Sequence, residues 1–300
     1  MKRNFTLCAL QATPRLGRAA RLAGLTLATF LCVFSAHALP GDYDLSYSAD
    51  GKTTVLMGTV NAGDFSPPST TASVLTADQK LVVAGKCRQP SSVGFCLSRF
   101  NSDGSQDATF GVAFGPNLVN INLSSVTGIA IDPRDQALVV AGECVPTGAV
   151  NRTFCVARFT QNGAFDVSYN GATTFAFAHV KVGRVRVASD GKIRVGAGCP
   201  RGPAAGNMDM CILALTASLT PDTAFTGSAS HYVLIPQIGS ERAEFVADLE
   251  YLADGRVFYV GPCKNKPSAT VYSYGCYGSV NPDGTHAAGR AAFFVTDYDD

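Results

Sequence analysis

After its N-terminal stretch the chain sets apolar residues in short runs, each closed by Gly, Pro, Asn or Asp, and nowhere sustains a helical period. Leu81-Val82-Val83-Ala84-Gly85 is rich in β-branched residues and predicts a buried or half-buried strand. Phe95-Cys96-Leu97-Ser98-Arg99-Phe100 alternates and predicts a second strand. Asn101-Ser102-Asp103-Gly104 follows with turn chemistry, since Asx side chains bond their own backbone and Gly supplies a positive φ.

The unit recurs, with its clearest copy at 78–111. QALVVAGEC (136–144) leads to TFCVARF (153–159) and NGAFDVSYNG (162–171). KIRVGAGC (192–199) leads to DMCILALT (209–216) and SLTPDTAF (218–225). RVFYVGPC (256–263) leads to YGCYGSV (274–280) and NPDGTHAAG (281–289). The first cysteines of the copies, Cys87, Cys144, Cys199 and Cys263, advance by 57, 55 and 64 residues. That period, filled only by short strands, predicts a propeller or another repeat array. Four strands are expected per copy: 71–77, 80–87, 94–100 and 112–121; then 126–132, 137–144, 153–159 and 173–178. The later copies give 183–188, 192–199, 210–216 and 231–235, then 245–252, 256–263, 273–280 and 291–297.

The copies resemble the delta-60 repeat, a bacterial repeat of unknown function that reads roughly DGK-apolar-VAG, aromatic-x-LARF, DGSLDxSFG. The resemblance covers about 42–290; it is sharpest at 78–111 and 135–171, and drifts at Gly196-Ala197-Gly198 and Tyr259-Val260-Gly261. It implies a β-propeller-like fold and carries no activity with it. Gly41-Asp42-Tyr43-Asp44-Leu45-Ser46-Tyr47 matches Asp166-Val167-Ser168-Tyr169, so the mature chain opens near the end of a unit. An N-terminal strand at 53–58 is then expected to close the ring without a free edge. The expected fold is all-β: one propeller domain over 39–300, of four four-stranded blades, or five, at about 71–122, 126–178, 183–235 and 245–297.

Residues 1–38 have the pattern of an export signal: Lys2, Arg3, Arg15, Arg18 and Arg21, an apolar run from Leu22 to Phe34, and Ala36-His37-Ala38. The run is short for a span, which needs roughly 20 residues. Cleavage near Ala38 and a secreted or periplasmic location are expected, with no membrane span afterwards. Cleavage leaves 19 basic against 23 acidic residues, net −4, which argues against nucleic-acid binding.

Eight of the ten cysteines lie beyond the signal, and an even number in an exported chain predicts disulfides. Each copy ends its second strand with one cysteine and begins its third with another, positions that adjacent antiparallel strands bring into reach. The expected bonds are Cys87–Cys96, Cys144–Cys155, Cys199–Cys211 and Cys263–Cys276, one per blade. Their spacing is not CxxC, which disfavours zinc and redox catalysis.

Asn101, Asp103 and Asp107 have the look of a short calcium loop, but the acids decay across the copies, which favours turn chemistry. The loops between second and third strands hold Lys86, Arg88, Arg152, Arg201, Lys264 and Lys266 against Glu143 and Asp209. That basic face is a candidate for an acidic glycan or another anionic partner, and solvating loop charge is the plainer explanation. His179 and His231 sit beside apolar strand residues, as structural histidines do, and nothing brings His286 to them. Trp is absent, and Tyr232, Tyr272, Tyr274 and Tyr277 read as strand packing, which lowers the case for a lectin or glycosidase. No nucleophile-elbow, zincin, P-loop or dinucleotide motif is present, so no catalytic, metal or cofactor residue is assigned. The innermost strands read as apolar except for Arg184, Arg186, Asp248 and Glu250. The expectation is an exported, monomeric, non-catalytic binding or scaffold module. A hydrolase or lyase with a site in the central channel, and an envelope structural protein, are the alternatives.

Overall fold

The computed structural model describes residues 47–48, 51–53, 69–89, 92–110, 121–146, 153–169, 172–175, 181–200, 208–227, 232–235, 244–265, 272–287 and 291–294. The chain divides into a unit of residues 1–42, outside the described set, and a unit of 43–300 that holds everything below. The expected signal, most of the 53–58 strand and most of the 112–121 strand fall on residues not described.

Four antiparallel sheets follow one another along the chain, each a meander in sequence order. Sheet 1 holds β1 (Ser69–Leu75), β2 (Leu81–Gln89) and β3 (Ser92–Phe100). Sheet 2 holds β4 (Ile121–Ile131), β5 (Leu138–Pro146), β6 (Thr153–Phe159) and β7 (Ala172–Phe175). Sheet 3 holds β8 (Lys181–Val187), β9 (Ile193–Pro200), β10 (Met208–Leu215) and β11 (Tyr232–Leu234). Sheet 4 holds β12 (Asp248–Tyr251), β13 (Val257–Asn265), β14 (Tyr272–Val280) and β15 (Ala291–Phe294). Each observed strand lies within a few residues of the one the repeat predicts. The only helical turns among the described residues are the single turns at Val167–Tyr169 and Thr223–Thr226 (α1), both in the motif after the strand-three turn.

Each sheet interior to this series is buried on both faces, which explains why its strands read as continuous apolar runs rather than clean alternations. Along β5, Leu138 and Val140 pack toward sheet 1 with Val82, Ala84 and Leu97. The residues between them, Val139 and Ala141, pack toward sheet 3 with Val185, Val195 and Leu213. A third cluster joins Met210, Ile212 and Phe225 of sheet 3 to Leu249, Val257 and Tyr259 of sheet 4. Three interfaces thus hold the four sheets in series.

The polar part of the repeat is a clamp between strand three and the turn that follows it. Asp107, Asp166, Asp222 and Ala287 occupy the same place in the four copies. Their backbone N–H groups donate to Arg99 O, Arg158 O, Ala214 O and Ser279 O at 2.8–3.1 Å. In sheets 1 and 2 the strand-three arginine closes onto that aspartate: Arg99 Nε to Asp107 and Arg158 Nε to Asp166, both 2.9 Å. Sheet 3 has Ala214 at the arginine position, yet the ion pair survives. Arg194 lies directly across the ladder from Ala214 and reaches Asp222 at 2.6 Å. Sheet 4 has neither partner, with Ser279 and Ala287 in their place.

Sheet 2 extends the clamp. Arg158 is fully buried and also donates to Asp132 at 2.6 Å and to Asp135. Arg134 adds bonds of 2.6 and 3.0 Å to the same Asp132. In the Asp-Pro-Arg-Asp turn Pro133, Arg134 and Asp135 are exposed, while Asp132 is buried beneath two guanidinium groups.

Drift in the third copy has a steric cause. Residues 244–247 thread between sheets 3 and 4: Glu244 N donates to Met208 O, Val246 N to Ala197 O and Ala247 N to Val260 O. A Cβ at Gly196 would stand 2.7 Å from the Val246 carbonyl oxygen, and one at Gly198 would stand 2.7 Å from that of Glu244. Only glycine leaves the passage open.

Candidate functional site

The first strands of the sheets pack on one another in order, β1 on β4, β4 on β8 and β8 on β12. Each of β1, β4 and β8 has a β-bulge, at Thr70/Ala72, Val126/Gly128 and Val182/Val185. Bulges re-aim side chains and sharpen local twist. Gly128 sits in one of them because β8 comes close: a Cβ there would lie 2.8 Å from Val185 N. On β8 the bulge leaves Val185 fully buried, and the pleat then puts Arg184 and Arg186 together on the opposite face.

Those two arginines border a cavity of about 400 Å³ whose other walls are Ala72 and Ser73 of β1, Leu81 and Val83 of β2, and Ile129 of β4. Arg184 is exposed and donates to Thr127 O at 3.0 Å. Arg186 is held by the next sheet: its Nε donates to Glu250 at 2.8 Å and its guanidinium pairs with Asp248 at 3.1 Å. Asp248 and Glu250 are two apart on β12 and share a face. The four polar exceptions expected on the innermost strands are thus brought side by side. What the arrangement offers is a planar cation beside small apolar walls, suited to a carboxylate or sulfate on a compact ligand.

The expected basic face is a different matter. Arg152, Arg201 and Lys266 lie outside the described residues, as do the side chains of Lys86, Arg88 and Lys264. His179 and His231 also lie outside them, while His286 Nε2 meets Leu234 O at 3.1 Å. In the calcium-like loop, Asp103 accepts from Ser105 N–H at 2.9 Å and from the Ser105 hydroxyl, which holds its carboxyl below the usual range. Asp107 faces Lys80 at 2.8 Å and Arg99, and hydrogen bonds from Lys80 and Thr109 lower its pKa well below the ordinary value. These carboxylates serve a turn and an ion pair.

Of the expected disulfides, Cys199–Cys211 is formed, with Cα atoms 5.8 Å apart. Cys276 is also in a disulfide. Cys144 and Cys155 carry thiols. The side chains of Cys87 and Cys263 are outside the described residues.

A beta-propeller domain of unknown function, DUF5122, matches residues 76–110. No curated protein matches the chain. Among solved structures, a mannose phosphorylase from Leishmania mexicana is similar at 12% identity and TM-score 0.43, over 79% of this chain and 70% of that one. An ulvan lyase of polysaccharide lyase family PL25 is similar at 8% identity and TM-score 0.43, over 73% of this chain, which spans 54% of the lyase. A putative glycoside hydrolase from Bacteroides ovatus is similar at 10% identity and TM-score 0.37, over 75% of this chain and 70% of that one. The all-β fold in four antiparallel sheets and the family match over one repeat together define a propeller-like repeat protein. No helix among the described residues is long and apolar enough to cross a membrane.

Proposed function

We propose that this protein is an exported propeller whose four sheets are its blades, and that it binds a small anionic ligand, such as an acidic oligosaccharide, at the inner strands. The observation that carries this reading is the pairing of Arg184 and Arg186 on one face of β8 beside the roughly 400 Å³ cavity. A cavity of that size is within the usual range for small-molecule sites. The carboxylates beside Arg186 support a binding rather than a catalytic role. Asp248 and Glu250 are about half exposed and both are engaged by Arg186. Glycoside hydrolysis wants a carboxyl in an apolar pocket as its proton donor, and neither of them sits in one.

Calorimetric titration tests this with oligogalacturonate against a neutral oligosaccharide of equal length, each at low and high salt. The reading expects binding of the acidic sugar only, weakened at least tenfold by the salt. Equal binding of the neutral sugar, or turnover of either one, would overturn it.

A further inference from the structure

The cysteines of all four copies share one register. Cys199 faces Asp209 and Cys211 faces Ala197 across β9 and β10. Cys144 faces Thr153 and Cys155 faces Gly142 across β5 and β6. The same two-residue diagonal separates Cys87 from Cys96 and Cys263 from Cys276. In every copy the residue opposite the strand-three cysteine is Gly or Ala, namely Gly85, Gly142, Ala197 and Gly261, so the diagonal is unobstructed. On the third diagonal the bond is made. On the second, the Cys144 Sγ lies 3.7 Å from Thr153 O and the Cys155 Sγ 3.6 Å from Gly142 O, each thiol aimed across the ladder at the other strand. Both thiols are fully buried in the cluster where sheet 1 covers sheet 2.

We propose that Cys144 and Cys155 are joined when the chain folds in the presence of a disulfide-bearing oxidant, and that the bond is made before sheet 1 closes over sheet 2. The reaction is thiol–disulfide exchange. One cysteine sulfur attacks the oxidant's disulfide and expels the first oxidant thiol, and the second cysteine sulfur then displaces the other. Two S–H bonds are lost, one S–S bond forms, and the oxidant's two sulfurs take up the protons and the electron pair. Exchange needs a thiolate and an approach path for the oxidant. In the folded reduced pair the path is closed and ionisation of Cys155 is opposed. Both residues are 0% exposed, and burial together with the neighbouring Cys144 pushes the Cys155 thiol well above its ordinary range. Burial in the folded state thus dictates the order of events, since the bond can form only while the hairpin of β5 and β6 is still open to the oxidant.

Two arms with oxidised glutathione test both halves. In one, reduced and denatured protein is refolded with the oxidant. In the other, protein folded under reductant is freed of it and then given the oxidant. Both are alkylated in denaturant and mapped without reduction. Refolding with oxidant should yield a linked Cys144–Cys155 peptide alongside Cys199–Cys211. Protein folded first should still show Cys144 and Cys155 alkylated after the unfolded chain has oxidised fully. Alkylated Cys144 and Cys155 beside a linked Cys199–Cys211 in the refolding arm would refute the bond. Equal oxidation rates in the two arms would refute the order. If the reduced chain does not fold, Cys144→Ser supplies the second test. Its Cys155 should resist iodoacetamide in the native protein and react at once in denaturant, and rapid native reaction would overturn the sealed site.

Discussion

Arg158 shows how much one side chain can carry. It is fully buried and its guanidinium serves Asp132, Asp135 and Asp166, on two turns that are far apart in sequence. A buried ion pair contributes little over a well-packed apolar replacement, but removing one partner strands the other's charge. Arg158→Leu should therefore cost about 3–5 kcal/mol by denaturant unfolding. Half-exposed Arg256→Ala, which loses Asp254 two residues away and a 3.4 Å bond to the Ser279 hydroxyl, should cost no more than about 1 kcal/mol. The same network sets the acid limit. Burial pushes the Asp132 carboxyl up, and hydrogen bonds from Arg134 and Arg158 more than reverse it, to about 2. Its folded value is thus depressed, so its contribution is complete above the unfolded value near 4 and lost as the pH falls toward 2. That contribution is on the order of 2 kcal/mol. Thermal melts between pH 5 and 2 should show the midpoint falling in that window; a flat profile would mean that the buried charges are not coupled to folding.

At the scale of the element, the clamp is a unit that tolerates moving its parts. Sheet 3 keeps the Arg–Asp pair by placing the arginine across the ladder, Arg194 for Ala214. Arg194→Val alone should cost about 3–5 kcal/mol. Adding Ala214→Arg, which restores the arrangement of sheets 1 and 2, should recover at least half of that in a double-mutant cycle; strict additivity of the two would show that the pair is not interchangeable. This exchange also marks where the sequence stops being legible. The strands, turns and cysteine positions follow from the repeat, because each is local. A lookup by repeat position finds Ala214 and reports a lost arginine, since the substitute lies twenty residues earlier in the chain and is adjacent only in the ladder. The drift at Gly196 and Gly198 is illegible locally for the same reason. Its cause, the strand of backbone at 244–247, comes from the next copy. Gly196→Ala, which gives the copy the residue that Ala84 and Ala141 hold at the same register, should destabilise by about 1–3 kcal/mol, the usual cost of overpacking.

Over the whole molecule the copies are linked head to tail through the same pieces. Arg99 of sheet 1 donates to Gln161 O on the strand-three turn of sheet 2 at 2.7 Å. Phe225 of sheet 3 lies against Gly284 on that turn of sheet 4. Tyr47 and Ser48 lie against Gly104 on the turn of sheet 1, with Ser48 N donating to Asp103 O at 2.7 Å. Tyr47, which the sequence matches to Tyr169 at the end of a repeat, so lies against sheet 1 as Phe225 lies against sheet 4. The candidate site also exists only at this scale. Arg186 and Glu250 are recognisable in the sequence as polar residues on inner strands, but their 64-residue separation gives no sign that they touch. The proposed site holds the anion at Arg184, on the inner strands, rather than at the loop lysines and arginines. The most direct test is calorimetric titration of Arg184→Ala with oligogalacturonate, beside a wild-type control and a thermal melt. Binding should weaken at least tenfold with an unchanged melting midpoint. Unchanged affinity in that variant, with binding lost when Lys86, Arg88, Lys264 and Lys266 are neutralised, would contradict it.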